Sequence, residues 1–147
     1  MNVFCSSGAF KGLSYAGEVL SKAQSMGISR LELSSGLKAT HECFKKIEKA
    51  SERMELRVHN YFPAPDEPFV LNLAAGEEFT RRRSIEFCKQ AIELSERIGA
   101  PYYSVHAGFV ADLQVAQLGN PESQKQAISP EMFEKATKRF EDSVIEL

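Results

Sequence analysis

Apolar and polar positions along the chain switch four times between a short β-type run and a longer run with helical spacing. Residues 2–6 read as a first strand, followed by a helix over about 14–26 with Tyr15, Val19, Ala23 and Met26 on its apolar face and Gly27 as its stop. Residues 30–34 form a second strand that Ser35-Gly36 breaks, and a helix over about 41–53 places Phe44, Ile47 and Met54 on one side. Residues 55–59 are a third strand. After a long loop comes a helix ending at Ile98, with Ile85, Cys88, Ile92, Ser95 and Ile98 aligned and Gly99-Ala100-Pro101 closing it. Residues 102–106 form the fourth strand. A last helix starts at Ser129, with Pro130 in its first position, and carries Phe133, Ala136, Phe140, Val144 and Leu147 as its expected buried stripe.

Strand and helix in strict alternation predict an α/β fold of four consecutive parallel βα units. Four units suit a small doubly wound sheet or half of an eight-stranded barrel. A whole barrel needs about 200–250 residues or more, and the chain has 147. Alternation within strands separates two faces. Leu31, Leu33, Leu56, Val58, Tyr103 and Val105 should lie under the helices, leaving Glu32, Ser34, Arg57, His59, Tyr102, Ser104 and His106 on the opposite, polar face. An unpaired buried charge is costly, so Glu32 and Arg57, on neighbouring strands, are expected to form a structural ion pair.

Composition narrows the partners. The chain is 43% hydrophobic and 26% charged, with a formal net charge of -2, which suits one globular domain and supplies no broad basic surface for nucleic acid. Cys5, Cys43 and Cys88 are odd in number and form no CxxC pair, so reduced thiols in a cytoplasmic protein are expected. No apolar run approaches the roughly 20 residues of a membrane span, and no membrane partner is expected. No GxGxxG or GxxxxGK[ST] follows any strand, which counts against a dinucleotide or P-loop site.

The candidate chemistry gathers at strand ends. His59 and His106 each close a β-type run at its C-terminal end, where parallel α/β folds collect ligands and catalytic groups. A satisfied polar cap is the bland reading of either one. Two on one rim suggest a shared metal or polar-substrate site, although a catalytic metal usually takes at least three protein ligands and no third is evident. His41 opens a helix and reads as a surface residue. The loop over residues 60–73 holds three prolines with Tyr61, Phe62 and Phe69, and starting directly after His59 it reads as a site-covering loop ahead of a rigid cap for the core. Arg81-Arg82-Arg83 read first as a solvated face and second as a phosphate site.

The segments Arg57-Val58-His59-Asn60-Tyr61-Phe62-Pro63, Phe69-Val70-Leu71-Asn72-Leu73-Ala74 and Tyr103-Ser104-Val105-His106-Ala107-Gly108-Phe109 together resemble sugar-phosphate isomerase/epimerase proteins of the xylose-isomerase-like barrel superfamily. Leu31-Glu32-Leu33-Ser34-Ser35-Gly36 fits the second strand of that group. The resemblance implies about half of a TIM (β/α)8 barrel, spanning residues 1–147 with the second half absent. It further implies a sugar or sugar phosphate held by Glu32, His59, Asn60 and His106, with metal-assisted proton transfer and a divalent ion (Mn, Zn or Mg) for which His59 and His106 are the candidate ligands. The isolated segment is then expected to be inactive. A truncated segment is the first explanation of the missing half, ahead of a complementing half-barrel chain or a homodimer. The alternatives are an abasic-site endonuclease of the same superfamily, which the charge balance disfavours, and a non-catalytic carbohydrate-binding or assembly module.

Overall fold

A computed structural model describes residues 3–34, 36–120 and 127–147, so Asn2 of the expected first strand and Ser35 of the expected break lie outside the described residues. The chain divides into two compact units, one formed by residues 1–66 and 90–105, the other by residues 67–89 and 106–147.

The first unit is the α/β sheet. Strands β1 (Cys5–Ser6), β2 (Arg30–Leu33), β3 (Glu55–His59) and β4 (Tyr103–Ser104) pair in that order, all parallel. Their sequential order follows from the connections: parallel neighbours need a crossover, which helices α1 (Ala16–Ser25), α2 (His41–Ser51) and α3 (Glu78–Arg97) supply. β3 has the expected bounds, whereas β1, β2 and β4 are shorter than the β-type runs that announced them.

The division into faces is observed. Leu31, Leu33, Leu56 and Val58 are buried and join Val19, Leu20, Ile47, Leu94 and Ile98 in one apolar cluster. Burying a side chain of this size contributes about 1.5–3 kcal/mol, so this layer holds the sheet to its helices. Phe62 is also fully buried in that cluster. Its ring therefore serves the core and not a ligand, which corrects the covering role expected of it.

The helical stripes are buried at most of the expected positions and differ at a few. On α1 the buried residues are Ala16, Val19, Leu20 and Ala23, while Met26 is 60% exposed just past the C-terminus. On α3 Ile85, Cys88 and Ser95, with Ile98 just past its end, are buried as expected, joined by Ala91 and Leu94, while Ile92 is 38% exposed. Small residues at the packed positions let the helix approach closely, so the stripe is set by fit as well as by hydropathy.

The second unit contains the first part of α3, to Lys89, and helix α4 (Pro130–Glu146). Phe69 meets Phe87 edge to face at 5.8 Å, and the Arg83 guanidinium stacks over Phe69 at 4.3 Å while donating to the Glu67 carbonyl. α4 buries Ala136 and Ser143, and Phe133 (61% exposed) and Val144 (47% exposed) lie outside the buried face. Hydrogen bonds account for the difference. Ser143 Oγ donates to the Leu73 carbonyl and Arg139 Nε donates to the Ala74 carbonyl, so polar anchors orient this helix.

Candidate functional site

The polar face of the sheet is built in layers by the parallel register. Ser6, Glu32 and Arg57 are Cα partners across β1, β2 and β3, and His59 is the partner of Ser104 one layer nearer the C-terminal ends. Parallel partners project their side chains to the same side, so Glu32, Arg57, His59 and Ser104 share this face.

Arg57 is held by rings. Its guanidinium lies 3.7 Å from the centroid of Phe4 and 4.7 Å from that of Tyr102, with Nη1 donating to the Tyr102 hydroxyl. Glu55 is its only carboxylate partner among the described residues, at 3.8 Å, and Glu55 bonds Arg30 more closely at 2.7 Å. The expected Glu32–Arg57 ion pair is not formed. Cation–π stacking and burial of the Arg57 stem replace it. Glu32 is half-buried and has no ion pair or side-chain hydrogen bond among the described residues. A carboxylate so placed is available to a ligand.

His59 Nδ1 lies 3.4 Å from the Ser104 hydroxyl. Asn60 then turns the chain with φ 51°, a left-handed conformation that asparagine tolerates better than most residues. Its amide N–H donates to the Ser104 carbonyl and its carbonyl accepts from the Tyr103 hydroxyl, each at 2.6 Å. The β3 exit is thereby tied to β4, which fixes His59 at the rim. Loop 60–66 is further pinned where the Ala64 N–H donates to the Leu37 carbonyl at 2.8 Å.

His106 belongs to the second unit and is exposed. There it opens a loop held by Asn72, whose buried Oδ1 accepts from the Ala74 and Phe109 N–H groups and whose Nδ2 donates to the Phe109 carbonyl. The structure thus groups Glu32, His59 and Asn60 on one sheet, and gives His106 a separate local setting. His41 is exposed at the start of α2, as expected.

Two further expectations meet the geometry. Arg81 and Arg82 both bond Glu78, and Arg83 is committed to Phe69 and Glu67, so the triplet is occupied by protein partners and the phosphate reading falls away. Among the described residues, no group of three or more His, Cys, Asp or Glu side chains is placed to hold a metal ion.

Sequence reasoning passed over Ser6 and Ser7. They sit at the end of β1, with Ser34 beside them at the end of β2. The available signal was polar residues closing two neighbouring strands, the same signal that drew attention to His59.

No protein-family model matches the chain, and neither the curated proteins nor the solved structures contain a match to it.

Proposed function

We propose that the chain is part of a sugar-phosphate isomerase/epimerase-like enzyme and that the polar face of its sheet binds a sugar or sugar phosphate. One observation carries this reading: a sequentially ordered parallel sheet ends in hydrogen-bonding side chains, Ser34, His59 and Ser104, beside a carboxylate with no protein partner among the described residues, Glu32. Polyols are recognised by dense, fixed donors and acceptors, and ligands of parallel α/β sheets bind at the C-terminal strand ends. In this reading Glu32 accepts from ligand hydroxyls and His59 bonds one oxygen of the ligand. The Asn60 turn holds His59 in place.

Ligand-detected binding of pentose and hexose phosphates tests the site. His59→Ala and Glu32→Gln are each expected to weaken binding about tenfold or more, in line with about 1.5–3 kcal/mol for hydrogen bonds to charged groups. Equal affinity in wild type and both variants removes the assignment.

A binding module without turnover is the second reading, favoured because Glu32 is the one carboxylate on this face without a protein partner among the described residues. Incubation of the bound sugar in deuterated water separates the two. Loss of a carbon-bound proton signal, abolished by Glu32→Gln, supports proton transfer; retention of that signal supports binding alone.

A further inference from the structure

Ser6, Ser7 and Ser34 form a hydroxyl cluster where β1 and β2 end. Ser7 Oγ and Ser34 Oγ are 2.8 Å apart, and Ser34 Oγ and Ser6 Oγ are 3.3 Å apart. Two backbone groups fix acceptor roles: the Ser34 N–H donates to Ser7 Oγ at 2.9 Å, and the Gly8 N–H donates to Ser6 Oγ at 3.3 Å.

Counting protons sets the direction of the chain. Ser7 is 3% exposed, and its hydroxyl has one acceptor among the described residues, Ser34 Oγ. Were the Ser34 hydroxyl to donate to Ser7 instead, the Ser7 proton would be buried without an acceptor, the expensive arrangement for a hydroxyl. Ser7 therefore donates to Ser34, whose own proton is left with Ser6 Oγ as its hydrogen-bond acceptor among the described residues. Ser6 Oγ then accepts twice, from Ser34 and from Gly8, and its own proton has no acceptor among the described residues. Ser6 is exposed and is the register partner of Glu32, so this proton emerges on the polar face of the sheet. Each bond in such a chain polarises the next, which makes the terminal hydroxyl a better donor than an isolated serine.

We infer that this serine relay presents the Ser6 hydroxyl as a directed donor to an oxygen of the bound sugar or sugar phosphate. Ser6 contacts the ligand, and Ser34 is a positioning residue acting through it. The inference rests on the sugar-site reading of this face. It adds a contact on β1 and gives the ligand a polarity: an acceptor oxygen over β1, and hydroxyl donors over Glu32 on β2.

The test is a titration of the full chain, followed by amide NMR, with a pentulose phosphate, the free pentulose and inorganic phosphate. Pentulose phosphate is expected to shift the Gly8 amide resonance, because that N–H shares Ser6 Oγ. Ser6→Ala should weaken binding about 3- to 10-fold, Ser6→Thr should restore it, and Ser34→Ala should weaken it with the Ser6 hydroxyl still present. The same loss with free pentulose supports an acceptor on the sugar. A loss confined to phosphate-bearing probes supports an acceptor on the phosphate. Binding that weakens in His59→Ala but is unchanged in Ser6→Ala overturns the relay and leaves the sugar site standing. No binding of any probe overturns both.

Discussion

Asn72 and Gly108 show how much one buried side chain demands of its neighbour. Asn72 is 1% exposed, and a Cβ placed on Gly108 would lie 2.0 Å from its Oδ1, at a φ of 116° that side chains rarely adopt. Asn72→Ala strands the Ala74 and Phe109 N–H groups, and its expected cost is about 2–4 kcal/mol. Gly108→Ala should cost at least as much, since strain and overlap act together. Gly27→Ala is the control: φ is again positive at 71°, but nothing lies within 4 Å, so about 1 kcal/mol is expected. Urea unfolding of the three variants checks the order. The polar face offers a second test at this scale. Because Arg57 stacks on Phe4 and Tyr102 and does not pair with Glu32, a double-mutant cycle of Glu32→Gln with Arg57→Met should give a coupling within about 0.5 kcal/mol.

Helix ends depend on single polar groups. Glu77, directly before α3, accepts from the Phe79 N–H, the Thr80 N–H and the Thr80 hydroxyl. The bond from the Thr80 hydroxyl, aided by those from the Thr80 and Phe79 N–H groups, holds the Glu77 carboxyl below its ordinary range. A depressed folded value means that the stabilisation is present above the unfolded value, near pH 4.3, and is lost as pH falls through the lower folded value. The difference in thermal unfolding between wild type and Glu77→Gln should therefore be constant near neutrality and change below about pH 4.3. A difference that is flat down to the lowest folded pH sinks this account of the cap. At α4, Ser129 Oγ accepts from the Met132 N–H at 3.2 Å. Ser129→Ala should cost about 1 kcal/mol in thermal or urea unfolding. Capping signals of this kind are local, so Ser129 and Pro130 were legible in the sequence. Of the buried face of α4 only Ala136 was, because Ser143 and Arg139 are anchored to carbonyls at Leu73 and Ala74, far away along the chain. Hydropathy spacing carries no record of such a partner.

At the scale of the whole molecule, the two sides of the sheet carry different loads. Leu33 is fully buried against the helices, and Leu33→Ala should cost about 2–5 kcal/mol. His59→Ala, on the opposite side, should leave unfolding within about 0.5 kcal/mol of wild type while changing ligand affinity. Parallel urea and binding measurements test that separation. A large loss of stability in His59→Ala would make the residue a structural cap. Among the described residues, no helix is long and apolar enough to cross a membrane, in agreement with the absence of a long apolar run in the sequence.

By itself the sequence determined the order of the main strands and helices, the bounds of β3 and the faces that the residues of β2 and β3 take, because these follow from chain-local periodicity and turn chemistry. It also determined that Glu32 and His59 sit on the polar side, since a period of two leaves no other placement once Leu31, Leu33, Leu56 and Val58 are buried. Tertiary structure decided the rest. It decided that Arg57 rests between Phe4 and Tyr102, that Ser6, Ser7 and Ser34 form a hydroxyl cluster, and that α4 turns Ser143 inward. Each of these depends on which groups meet across tens of residues, and on the cost of leaving a buried donor without an acceptor.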